Sequence, residues 1–273
     1  MFWSDTMSIL KLISKITMNG FVFIYPLLLI LLPIIYVTYL DSPNLLIIFI
    51  IYTFILINQL IENQLTNQTL TKERKLFISN FLLEILNLGI IIFLGIKYSI
   101  WISILLLMYT LLIHIQFIFV QYHLTMLGIV ILTLFNSFIL PFSIFQLHLD
   151  FIPAQLIRIS ATYIIPIFML EYERFARKLN RDGILHPIFN HNWQKKILSL
   201  SLISSFIVTF LILWPIHTWM TFILLMIPLF TVIWQLKSES RALKHLVRKY
   251  FIIFILVSNC IWAIHFIFII LEL

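Results

Sequence analysis

Charge is scarce in this 273-residue chain. Charged residues make up 11% of it and hydrophobic ones 62%. A soluble domain carries about 25% charged and 45–50% apolar residues, so an ordinary water-soluble globule is excluded. Glycine is nearly as scarce. Five glycines exclude a collagen-like or Gly-rich linker chain and leave no Gly-rich phosphate loop. The single cysteine, Cys260, lies in an apolar run and can close no intramolecular disulfide. No Ser-containing nucleophile elbow is present. The 26 phenylalanines in turn exclude a disordered chain.

Apolar runs long enough to cross a hydrocarbon core of roughly 30 Å as helices fill the rest of the sequence. They predict an all-α polytopic membrane protein with about nine spans, near 20–40, 44–61, 77–95, 99–119, 124–146, 152–171, 197–214, 216–235 and 250–270. Between 99 and 146 only the length and Gln121-Tyr122-His123 divide one span from the next. Residues 1–19 form a separate unit. There Phe2, Trp3, Met7, Leu10, Ile13 and Ile16 alternate with Lys11, Ser14 and Lys15, the pattern of an amphipathic helix on a membrane surface rather than a cleavable signal. Residues 20–273 then make a single transmembrane domain.

Cations give an independent check on that threading. With a cytoplasmic amino end, every Lys and Arg except Lys97 and Arg158 falls on the cytoplasmic side. This is the asymmetry of the positive-inside rule, and it places the carboxyl end on the opposite side of a cell membrane. The net charge of +7 is then directed at anionic lipid, and the bilayer is the partner it implies, not nucleic acid. Outer connections are short (Asp41-Ser42-Pro43, Gly95–Ser99, His148–Pro153), whereas two inner segments, about 58–76 and 171–196, are long and polar. Polar segments of that length beside a bundle mouth are where a site can be built.

Most of the eleven acidic residues fall in short connections or among lysines and arginines. Five stand apart: Glu62, Glu84, Glu171, Glu173 and Asp182. Glu84 lies seven residues into the third span, with Asn87 one turn on, either lining a cavity or sitting shallow near the interface. In the first polar segment, helical spacing puts Asn58, Glu62 and Thr66 on one face. The second opens Glu171-Tyr172-Glu173-Arg174-Phe175-Ala176-Arg177-Lys178, in which Glu173 and Arg177 have the spacing of a helical ion pair. His186 and His191 lack a third ligand at a metal-site spacing. His114, Gln116 and His123 either line a cavity mouth or hydrogen-bond between helices.

With these segments placed, the chain resembles the UbiA-type membrane prenyltransferases, which are similar in having nine helices, a cytoplasmic amino end and acidic motifs after the second and sixth helices. The family's Asn-Asp-x-x-Asp-x-x-x-Asp motif, laid over this sequence, puts its Asn on Asn58 and its acids on Gln59, Glu62 and Thr66. Its Asp-x-x-x-Asp motif begins at Glu171 or Glu173, with the second acid on Phe175 or Arg177, and Asp182-Gly183 follow. The resemblance implies a UbiA-like bundle that transfers a polyprenyl group from its diphosphate to a hydrophobic, aromatic acceptor. It further implies Mg²⁺ held by Glu62, Glu171 and Glu173, and an isoprenoid diphosphate held by Asn58, Gln59, Lys72, Arg174, Arg177 and Lys178. Mg²⁺ takes oxygen ligands, and here several expected carboxylates are replaced by Gln, Thr, Phe or Arg. That shortage leaves a second reading, a non-catalytic relative that binds a lipid or a membrane partner. A third, a secondary transporter, would use Glu84, but broken helices with Gly and Pro are the mark of that class and glycine is scarce.

Overall fold

The computed structural model describes residues 23–71, 77–122, 124–149, 151–152, 154–181, 191–213, 252, 254–260 and 262–264. All regular structure among them is helical. The expected surface helix at 1–19, the span at 216–235 and part of that at 250–270 lie outside the described residues.

Helix α1 runs Phe23–Leu40. The turn that ends it holds Pro43, which disfavours helical backbone at Ser42. Asn44 then caps the next helix, its Oδ1 accepting the backbone N–H groups of Leu46 at 3.1 Å and Ile47 at 3.4 Å. Helix α2, Leu45–Thr71, continues well past the apolar run that begins it. Helices α3, Phe77–Lys97, and α4, Ile100–Gln121, form a tight antiparallel hairpin. Their close approach depends on Gly95, where a Cβ would collide with Ser103. The same serine donates its hydroxyl to the Ile91 carbonyl at 2.6 Å.

The long apolar stretch does break where the polar triplet falls, between Gln121 and Thr125. Beyond it, α5, Thr125–Leu134, passes through a five-residue π-helical turn, Phe135–Ile139, into α6, Leu140–Leu149. Pro141 supplies a reason for the wide turn, since it has no N–H to return to the carbonyl of Ser137. Helix α7, Ala154–Arg181, contains Pro166, and α8 runs His191–Leu213. A short apolar helix spans Phe254–Ile264.

The two long polar segments are therefore helical for much of their length. Residues 58–71 continue α2, and 171–181 continue α7, while α8 begins six residues before the expected span. Neither continuation contains Gly or Pro, and Gln, Glu, Leu, Arg and Lys are all good helix formers. Polarity ended the apolar run but not the helix.

Phe23–Leu40, Leu45–Leu65 and Thr125–Leu149 are long and apolar enough to cross a membrane. Large apolar side chains lie both inside the bundle and on its surface. Ile51, Phe54, Leu94 and Phe145 are buried, whereas Phe49, Ile96, Trp101, Leu200 and Leu211 are exposed. A helix apolar all round suits a lipid surrounding and not water. Within the bundle, α7 packs against α8, α5 and the π turn, and α2 against α3, α4 and α6.

Candidate functional site

Residues count equally from Leu45 to Glu62 on α2 and from Ala154 to Glu171 on α7, a rise of roughly 26 Å in each case. The two helices thus carry their carboxylates to one height along the bundle. There the side chains meet. One guanidinium nitrogen of Arg174, Nη2, lies 2.6 Å from Glu62 Oε2 and 2.9 Å from Glu171 Oε2. The two carboxylate oxygens are consequently no further apart than the sum of those contacts, inside the roughly 10 Å that a compact metal–diphosphate site allows.

Glu171 is wholly buried and tied to two other segments. Its Oε1 accepts the hydroxyl of Tyr25 on α1 and the amide of Asn136, on the π turn, at 2.9 Å. The Asn136 amide also donates to Tyr25 at 3.1 Å. Arg174 sits over the Tyr25 ring, its Cζ 5.6 Å from the centroid, a cation–π contact. Glu171 and Arg174 share a face of α7 through i, i+3 spacing, and Glu62 reaches them from α2. Burial works against the charge of Arg174. The carboxylates of Glu171 and Glu62 outweigh it and lift the group above its ordinary value, so the guanidinium stays charged.

This arrangement answers which acid of the second polar segment meets Glu62: it is Glu171. Glu173 is buried as well, two residues on. Asn58 is turned toward α3. Its amide exchanges hydrogen bonds with Asn87, at 3.0 and 3.3 Å, and also donates to the Phe54 carbonyl. Asn87 in turn donates to Thr110 on α4 at 3.0 Å. Asn58 thus ties α2, α3 and α4 together beneath the acidic cluster. Gln59 is buried, and its amide nitrogen finds no acceptor among the described residues. Lys72 lies outside the described residues, as do the side chains of Arg177 and Lys178, although these two fall on α7. Glu84 faces a neighbouring helix, 3.3 Å from His114 Nε2, while His114 Nδ1 lies 2.8 Å from the Thr110 carbonyl. His114 and Glu84 therefore make the interhelical bond that was one of the two expectations for the histidine.

Tyr25, Asn136 and Thr110 take part without having been singled out in the sequence. Asn136 carried a signal, because a polar amide in the middle of an apolar span must find a partner. Tyr25 carried none, being one aromatic among many.

As arranged, the donors suit a guanidinium better than Mg²⁺. Both carboxylates already share one cation, the second oxygen of Glu171 is taken by Tyr25 and Asn136, and Gln59 offers only a neutral oxygen. No group of three His, Cys, Asp or Glu side chains suited to a metal occurs among the described residues. An ion entering here would have to displace Arg174.

A groove of about 260 Å³ lies between α5, α7 and α8, lined by Val130, Thr133, Ile164, Phe168, Ser201 and Ser204 among others. Its wall is effectively apolar, since Thr133 and Ser201 donate their hydroxyls to their own helix carbonyls, Ile129 and Ile197. Phe168 stacks on Tyr172, with centroids 6.2 Å apart, one residue from Glu171. A polar, charged cluster thus stands about one helical turn from a groove fit for a hydrocarbon chain.

No protein-family model, no curated protein and no solved structure matches this chain.

Proposed function

We propose that the chain is a nine-span integral membrane protein of the UbiA-like prenyltransferase type. In this reading its inner polar cluster binds the head of an isoprenoid diphosphate, and the polyprenyl group is transferred to an aromatic acceptor. The observation that carries it is the meeting of Glu62 and Glu171, from two polar segments four spans apart, on the partly buried guanidinium of Arg174. The groove beside Phe168 supports it as a place for the chain of the same amphiphile. The amino end is cytoplasmic, the carboxyl end faces the other side of the cell membrane, and the cluster lies at the cytoplasmic end of the bundle.

In such a transfer the bond between the allylic carbon and the diphosphate oxygen breaks. The electron pair leaves with the diphosphate, the acceptor ring forms the new carbon–carbon bond, and the ring loses a proton. The chain's own contribution is to hold the leaving group and exclude water. Arg174 carries the positive charge present at the cluster, and the apolar helices around it strengthen that charge by lowering the local dielectric.

Purified protein in detergent, given farnesyl diphosphate and a panel of hydroxyaromatic acids with and without Mg²⁺, should yield a prenylated acid by mass spectrometry. Wild-type protein that neither binds the diphosphate nor forms product would end this reading. A second reading keeps the fold and the binding but not the transfer, and it too has an observation behind it: the carboxylates are already neutralised in part by Arg174. It predicts binding of farnesyl diphosphate with no product from any acceptor.

A further inference from the structure

We infer that Arg174 is the resident cation of the inner site, standing where a metal ion would otherwise receive the anionic head, and that Glu62 is its exchangeable counter-ion. This deepens the function proposed above and rests on it.

The two carboxylates hold Arg174 in different ways. Glu171 is on the same helix, one turn before it, and is fastened on its other oxygen by Tyr25 and Asn136. Its pairing with Arg174 survives any movement of α7 as a body. Glu62 comes from α2, so its pair with Arg174 spans two helices and can part when they separate. An incoming diphosphate can take the position of Glu62 on the guanidinium while Glu171 stays in place. Arginine suits this exchange, because its planar fork meets carboxylate and phosphate oxygens in the same way.

Two buried donors mark where the phosphate oxygens would go. Arg174 Nε and Gln59 Nε2 both lack an acceptor among the described residues. Buried N–H groups are usually satisfied, and these two stand beside the Glu62–Arg174 pair, one turn from Glu62 in one case and on the guanidinium itself in the other, so each is free to donate to an anion that reaches the pair. A phosphate supplies acceptor oxygens in several directions. Gln59 stands where the family has an acid, and that replacement then makes sense as the exchange of a metal ligand for a direct donor to the anion.

The charge balance gives the test its opposite signs. Glu62, Glu171 and Arg174 together carry one net negative charge, which opposes an anion. If Arg174 is the cation, removing the charge of Glu62 helps binding; if a metal is the cation, removing a ligand harms it. The probe is farnesyl diphosphate with sulfur in place of the bridging oxygen, so that transfer does not consume it, titrated against full-length protein in nanodiscs with excess EDTA or with Mg²⁺. The expected result is binding that persists in EDTA, tightens about tenfold in Glu62→Gln, as removal of a nearby unit charge predicts, and falls at least about tenfold in Glu62→Gln/Arg174→Gln. The double variant keeps the net charge of the wild type and avoids two uncompensated buried carboxylates, so it separates the loss of the cation from misfolding. Arg174→Lys should bind more weakly than wild type, having lost the planar fork. Binding that requires Mg²⁺ and disappears in Glu62→Gln would overturn the inference while leaving the proposed function standing. Absence of binding to the wild type under both conditions would overturn both.

Discussion

At the scale of single residues, one arginine determines how two buried acids coexist. Removing one partner of a buried ion pair leaves a charge that neither water nor protein compensates, at a cost of about 3–5 kcal/mol. Arg174→Gln should therefore lower the unfolding temperature in detergent far more than Glu62→Gln, which leaves the Arg174–Glu171 pair balanced. The deficit of Arg174→Gln should also depend on pH. Two facing carboxylates with no cation relieve their repulsion by taking up a proton, so the variant recovers part of its stability at pH 5 relative to pH 8. An equal loss at both pH values would mean that Arg174 contributes through packing alone. Asn58 illustrates a different residue-scale outcome. Its amide is engaged by Asn87 and the Phe54 carbonyl, so it holds helices together beneath the cluster.

At the scale of elements, close helix contact and helix irregularity place the site. The α3–α4 hairpin needs a hydrogen atom at Gly95, because any Cβ meets Ser103. Gly95→Ala should destabilise the protein by about 1–3 kcal/mol, the usual cost of overpacking, and Gly95→Ala/Ser103→Ala should recover most of it. Thermal unfolding of the two variants checks this. Seven helix positions were legible from hydropathy alone, within a few residues at most ends, because a long apolar run near a membrane has few alternatives to helix. The reach of α2 and α7 past their apolar runs was less legible, since polar side chains end a membrane span without ending a helix. The π turn was not legible. Pro141 announces an irregularity, but only the packed structure shows that the widened turn brings Asn136 to Glu171.

At the scale of the whole molecule, topology decides which face the cluster serves. A fluorescent reporter inserted near residue 185 should fold in the cytoplasm, and one inserted near 151 should stay dark, as expected when it is carried across the membrane. The reverse pattern would put the cluster on the outer side and overturn the proposal of a cytoplasmic diphosphate as its ligand. Within the bundle, the interlocked amides of Asn58 and Asn87 and the Glu84–His114 contact join α2, α3 and α4. Polar bonds between helices are what holds such a bundle together, since lipid tails remove the apolar driving force for helix association.

The sequence by itself determined the membrane class, the helical fold class and the candidate acids, because hydropathy, charge asymmetry and scarcity are properties summed along the chain. It also showed how few carboxylates the two polar segments hold. Which acids meet, and what lies between them, depends on side chains from α1, α2, the π turn and α7 that are as much as 146 residues apart, as in the bond between Tyr25 and Glu171. Only the tertiary structure decided that the cation between Glu62 and Glu171 is Arg174. A spacing rule describes one helix at a time, whereas an ion pair between helices is set by depth, rotation and the partners available in a medium without water.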